Sequence, residues 1–279
     1  MLSLAMRQKG SKLLIYLTAI LVTVVLVSPL LSTFSNSLNK VGALPTLLPA
    51  KFHWENYILA VTTIPFWRYF QSSLIIAALT VIPGTLLGGL AGYAFARLQA
   101  PGKKVMFLII LSTMMLPGIV TIIPMYILFH RMGLLNTYLP WLLWGIGGQP
   151  FFIFLYRQFF AAIPKEMEEA ARIDGASLFR TYWNIFLPLS VSIAITVAIT
   201  DFQRIWGDYL TPFMYLKQDN YPLATGLSVV GYFNPHNPNI ELTQLTNAGV
   251  VLFIVPVLLT FFLGQRYLQE GIISSGVKG

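Results

Sequence analysis

A chain of 279 residues that is 56% hydrophobic and only 10% charged lies far from soluble domains, in which about a quarter of residues are charged. With a mean hydropathy of +0.70 it reads as one polytopic, all-α membrane domain covering 1–279. The formal net charge of +8 would suggest nucleic acid as a partner for a soluble protein, but basic residues of membrane chains collect on cytoplasmic loops, so no nucleic acid is expected. There is no cysteine, hence no disulfide, thiolate metal site or cysteine nucleophile.

Arg7, Lys9 and Lys12 precede a continuous apolar run from Leu13 to Phe34. A cleaved signal peptide would have a core of about 7–15 residues, shorter than this, so a retained first span over 13–34 is expected, with cleavage near Ser35 and Ser37 the alternative. Residues 36–68 carry Pro45, Pro49, Trp54 and Tyr57 and suit an external segment at the membrane interface, where aromatics are enriched. In the second span, about 69–96, Gly84, Gly88 and Gly92 recur every four residues and make a stripe where another helix can approach closely. The basic stretch from Arg97 to Lys104 marks a tight cytoplasmic turn. The third span, 105–129, contains Pro117 and Pro124, which predict kinks. The fourth, 137–160, is interrupted by Gly145, Gly147, Gly148 and Pro150, as segments bordering a translocation path can be, although close packing explains them equally well.

The most polar segment follows, over 161–188. Pro164 stands where a helix could begin and Gly175 where it could end. Glu166, Glu168 and Glu169 crowd the first turns, at the positive end of the helix dipole. Glu168 and Arg172 are spaced as a surface ion pair. Met167, Ala170 and Ala171 make a narrow face of small residues that suits docking against a partner. Ser177 can cap a second short helix, 178–187, which Pro188 would stop. The spacing therefore predicts a helix, a glycine hinge and a second helix between membrane spans.

The run Glu169-Ala-Ala-Arg-Ile-Asp-Gly-Ala176, followed by Tyr182, Ile185 and Leu187-Pro188-Leu189, resembles the EAA loop of ABC-importer permeases. Phe52-His-Trp-Glu-Asn-Tyr57, Gln265-Arg-Tyr-Leu-Gln-Glu-Gly271 and the ending Gly276-Val-Lys-Gly279 are similar to the carbohydrate-uptake, maltose-permease branch. One departure stands out: many relatives carry a further proline after Leu-Pro-Leu, where Ser190-Val191-Ser192 stands here. The resemblance implies that Glu169, Ala170, Ala171, Asp174, Gly175, Ala176 and Pro188 form a cytoplasmic coupling element seated in a cleft of an ATPase subunit. It also implies a second permease subunit as heterodimer partner, a cytoplasmic ATPase dimer that holds the ATP and magnesium, and an extracytoplasmic solute-binding protein. The solute would be a sugar or related polar compound; a glycerophosphodiester, a polyol or a peptide is the alternative. No cofactor is expected in this chain.

A fifth span runs over about 188–213 and a sixth over 247–268, with a polar external stretch at 214–245 that includes Asn220, Asn234, Pro235, Asn237 and Pro238. Six spans put both termini on one side. That side collects twelve Lys and Arg against five on the other (Lys40, Lys51, Arg68, Arg131 and Lys217), so the termini and the 161–188 loop are expected in the cytoplasm and the chain in the cytoplasmic membrane among its lipids. Asp201, Arg204 and Asp208 are the charges inside a span. Their spacing of three and four places them on one side of the fifth helix, as a candidate for the translocation pathway or a structural cluster near the end of the span. No phosphate-cradling G-x-x-x-x-G-K-[ST] run occurs, and His53, His130 and His236 stand isolated, so neither ATP hydrolysis, enzymatic catalysis nor metal binding is expected of this chain.

Overall fold

A computed structural model describes residues 2–276 other than 45, 47 and 235; for 2–11, 13, 238, 239 and 268–276 it describes the backbone alone. Expectations for Pro45, Pro235 and the final Val277-Lys278-Gly279 therefore lie outside the described residues, as do those for the side chains of Arg7, Lys9 and the 268–276 tail. The regular structure of the described chain is helical apart from one short hairpin, and the chain divides into two compact units: 1–65 with 231–254, and 66–230 with 255–279.

The first unit holds α1 (Leu2–Ser37), α2 (Glu55–Thr63), an antiparallel hairpin of β1 (Phe233–Asn234) and β2 (Asn237–Glu241), and the start of the last long helix, α12 (Thr243–Gly276). Leu14, Leu21 and Leu26 of α1 stand exposed, as side chains do whose solvent is lipid rather than water. A helix ends with four carbonyls lacking partners, and Asn56 answers one of those at the end of α1 together with one just beyond it. Its buried Nδ2 donates to the carbonyls of Ser37 at 2.7 Å and Asn39 at 2.8 Å. Tyr232 Oη donates to the Ala60 carbonyl at 2.8 Å, and Gln244 Nε2 to that of Ala43 at 2.8 Å. Exposed Glu55 accepts a hydrogen bond from His53 at 2.6 Å, which holds its carboxyl below the usual carboxylate range.

The second unit is built along α3 (Phe66–Arg97). It continues through α4 (Lys103–Thr113), α5 (Gly118–Arg131), α6 (Leu139–Gly147), α7 (Pro150–Ala162), α8 (Glu166–Ile173), α9 (Leu178–Leu189), α10 (Val191–Trp206) and α11 (Leu210–Tyr215). The glycine stripe of α3 brings backbones together. A Cβ on Gly92 would lie 2.4 Å from Cβ of Tyr156 on α7, and one on Gly145 of α6 would lie 2.6 Å from the Leu79 carbonyl. Neither position tolerates a side chain without the helices parting.

Among the described residues, four helical stretches are long and apolar enough to cross a membrane, at Leu14–Ser37, Phe66–Arg97, Leu139–Ala162 and Thr243–Tyr267. Two bent pairs, α4 with α5 at 100° and α9 with α10 at 76°, raise the number to six when each pair counts as one span. The first bend falls at Met114–Pro117, while Pro124 sits within α5. The proline that ends a segment thus makes the corner, and the one within α5 does not break the helix. Pro188 was expected to stop the helix after Ser177, and it does not: α9 runs through it to Leu189. A π turn at Tyr182–Phe186 precedes it, and Leu187 N–H reaches back five residues to the Tyr182 carbonyl. The widened turn relieves the clash a proline ring makes with the carbonyl four residues earlier. The corner falls instead at Ser190, fully buried, whose Oγ donates to the Leu187 carbonyl at 2.9 Å.

Candidate coupling turn and solute cavity

The turn between α7 and α9 is built by local rules. Both Glu168 and Glu169 donate their N–H to the Lys165 carbonyl at 3.0 Å, opening α8 with its acids in the first turn. At the far end Gly175 takes φ +73°, Gly175 N–H reaches the Arg172 carbonyl at 3.0 Å and Ala176 N–H reaches that of Ala171 at 2.9 Å. This pair of bonds is a Schellman closure, which needs a left-handed residue and favours glycine there. Ser177 Oγ then accepts the Arg180 N–H at 3.3 Å and caps α9.

Tertiary packing rearranges the face read from the spacing. Ala171 is buried with Glu168, whereas Met167, Glu169, Ala170, Ile173, Asp174 and Gly175 are exposed and Ala176 is half-buried. The expected Met167–Ala170–Ala171 docking face is therefore split, because Ala171 turns inward with the Glu168 side of α8. The outward face is more apolar than the spacing indicated, with Ile173 86% exposed and Phe179 stacked on Trp183 at 6.0 Å. Glu168 is likewise no surface acid: its buried carboxylate accepts from Arg172 at 2.8 Å.

Both feet of the turn stand on one aromatic cluster, formed by Tyr93 of α3, Phe152, Tyr156 and Phe160 of α7, and Tyr182 and Phe186 of α9. Gly89 leaves room for Tyr182 and Tyr156, since a Cβ there would lie 2.9 Å from Tyr182 Oη. Arg97, the last residue of α3, closes this arrangement. Its guanidinium donates to the Phe160 carbonyl at 2.6 Å and to the carbonyl of Ile163, the residue that caps α7, and lies 5.2 Å over the Phe186 ring. One side chain thus holds the segments on either side of the turn. The sequence marked Arg97 only as part of a basic turn, since its partners lie 63, 66 and 89 positions away.

The intramembrane charges are divided differently from their spacing. Asp201 is 1% exposed and accepts from Arg204 Nε at 3.0 Å and from a second guanidinium nitrogen at 2.6 Å. Asp208 does not share their helix: α10 stops at Trp206 with Gly207 as its cap, and Asp208 instead accepts the Thr211 N–H at 3.1 Å at the start of α11. Arg204 and Asp208 meet again as walls of a cavity of about 320 Å³. Trp141, Trp144 and Tyr215 give it aromatic walls, and Thr121, Gln149 and Thr211 add hydrogen-bonding groups. Among the described residues no cluster of His, Asp and Glu could hold a metal ion.

Comparison with known proteins agrees with this architecture. Residues 84–273 match the family model of the binding-protein-dependent transport system inner membrane component. The arabinooligosaccharides transport system permease protein AraQ of Halalkalibacterium halodurans is 30% identical, over 98% of this chain and 100% of its own length. The maltose/maltodextrin transport system permease protein MalG of Salmonella typhimurium is 32% identical, over 98% and 97% respectively. The diacetylchitobiose uptake system permease protein NgcG of Streptomyces coelicolor is 31% identical, over 92% and 85%. Among solved structures, a bacterial ABC transporter involved in the import of the acidic polysaccharide alginate shares the fold with a TM-score of 0.78 at 22% identity, over 92% of this chain and 97% of that one. Bent apolar spans, a Schellman-closed turn on an aromatic base, and relatives matching end to end agree: the chain is a multi-pass inner-membrane protein and belongs to the ABC-importer permeases of the carbohydrate-uptake family, transport subunits rather than enzymes.

Proposed function

We propose that this chain is one of two permease subunits of an ATP-driven sugar importer, and that residues 161–188 couple it to the ATPase. It would work with a second permease, a cytoplasmic ATPase dimer that holds ATP and magnesium, and an extracytoplasmic solute-binding protein. The observation that carries this reading is the turn itself: an exposed apolar face at Met167, Ile173 and Phe179, whose two feet are tied by Arg97. Closure of the ATPase dimer would push that face. Tied feet would pass the motion into α3, α7 and α9 as a body, and the spans would swing between inward-open and outward-open states.

Six spans over about 13–34, 69–96, 105–129, 137–160, 188–213 and 247–268 follow from the apolar runs, and the excess of Lys and Arg on one side supports the termini and turn in the cytoplasm. Within the spans, Arg204 and Asp208 would meet the solute in the aromatic cavity, with Asp201 holding Arg204 from behind. Relatives named for arabinooligosaccharides, maltodextrin and diacetylchitobiose support a sugar as solute. The test is reconstitution of the full importer in vesicles with ATP and its binding protein. Uptake of a labelled oligosaccharide that stops with Gly175→Leu, while the ATPase subunits still copurify, is expected; normal uptake by that variant would refute a coupling role for the turn.

A further inference from the structure

A second groove, of about 290 Å³, opens beside α4 near the coupling turn. Its floor is Phe95, Phe107 and Leu108, and its rim is three cations, Lys103, Lys104 and Arg157; no acid among the described residues lines it. The charges converge from separate helices, Lys103 and Lys104 at the start of α4 and Arg157 on α7. Two of them are held in place. The Arg157 guanidinium lies 4.4 Å over the Phe107 ring, which packs on Phe95 at 5.3 Å, and Lys103 Nζ donates to the Leu98 carbonyl at 2.6 Å. Glu168 and Glu169 line the neighbouring cleft, where Arg172 occupies Glu168. Below the rim, Val105, Leu108 and Ile109 continue an exposed apolar wall down α4.

Cations at the end of an apolar helical wall lie at the depth of lipid headgroups, and basic pockets between membrane helices fit anionic ones. A soluble anion would match the rim and leave the Phe95–Phe107–Leu108 floor uncovered. An acyl chain beneath a phosphate covers both. We propose that this groove binds an anionic phospholipid, its phosphate among Lys103, Lys104 and Arg157 and one chain laid along Phe107 and Leu108. Lys103 also lines the cleft against α8, so the bound headgroup adjoins the coupling turn.

The assembled importer, titrated in detergent with dioleoylphosphatidylglycerol or dioleoylphosphatidylcholine, tests this by native mass spectrometry of bound lipid. The glycerol lipid should bind about tenfold more tightly than the choline lipid, and Lys104→Gln with Arg157→Gln should weaken it about thirtyfold, each charge near a bilayer surface counting for roughly fivefold. Lys104 is exposed, so Lys104→Gln alone gives a reading of about fivefold even where the double variant does not assemble. Lys51→Gln with Lys217→Gln removes equal charge elsewhere and should change nothing. Equal loss in that control pair, equal binding of the two lipids, or displacement of the lipid by millimolar inorganic phosphate would overturn the site.

Discussion

Single residues set how force passes through the turn. Gly175 has nothing within 4 Å of a Cβ position, so a substitution there is penalised by its φ of +73° and not by crowding. Gly175→Ala should therefore cost about 1–2 kcal/mol of local order, read as faster amide exchange across 166–176 with unchanged membrane insertion. Arg97 is a positioning residue. Arg97→Lys keeps the charge but offers a point donor in place of a planar fork, and cannot bridge two carbonyls while stacking on Phe186. The expected result in reconstituted vesicles is a several-fold fall in solute moved per ATP with ATPase subunits still bound; an unchanged ratio would show the clasp to be dispensable. Arg204→Ala strands the buried Asp201 carboxylate and should cost about 3 kcal/mol, the low end for a broken pair because Arg204 is half-exposed. Thermal unfolding checks this, since Asp201→Asn combined with Arg204→Gln should recover most of the loss.

At the scale of elements, helix contact and helix face make separate predictions. Gly92 and Gly88 belong to one stripe, yet a Cβ would strike Tyr156 at the first and meet nothing within 4 Å at the second. Gly92→Ala should destabilise by about 1–3 kcal/mol, and Gly88→Ala should be neutral, as thermal shifts of the solubilised complex will show. The exposed face of α8 also decides which cysteine reports docking. With no native thiol to remove, Ala170→Cys should form a disulfide with a cysteine placed in the ATPase cleft, and Ala171→Cys, turned inward, should not. The reverse pattern would mean that α8 rotates on assembly.

For the molecule as a whole, the same absence of cysteine allows the topology to be read directly. Lys217→Cys should react with a membrane-impermeant thiol reagent in intact cells, and Ala170→Cys only after permeabilisation. Labelling of Ala170→Cys from outside would invert the arrangement. Bent spans fit a molecule whose helices must change their mutual angles during transport, and the corner at Ser190 stands directly between the turn and the helix that carries Asp201 and Arg204.

Interactions reaching only a few residues were legible in the sequence. Apolar runs, the acids at the start of α8, the left-handed Gly175 and the Ser177 cap follow from bonds between near neighbours, and the spacing states them. The structure alone decided which side of α8 is buried, since that depends on what α8 packs against rather than on its own pattern. It alone joined Arg97 to carbonyls more than sixty positions away. It alone moved the corner from Pro188 to Ser190, because a π turn five residues long absorbed the proline. Asp208 left the expected triad for a similar reason: Gly207 ended the helix on which the spacing of three and four would have held. A residue's immediate neighbours are written beside it, but the burial of a face and the partner of a distant donor come from the packing of the whole chain.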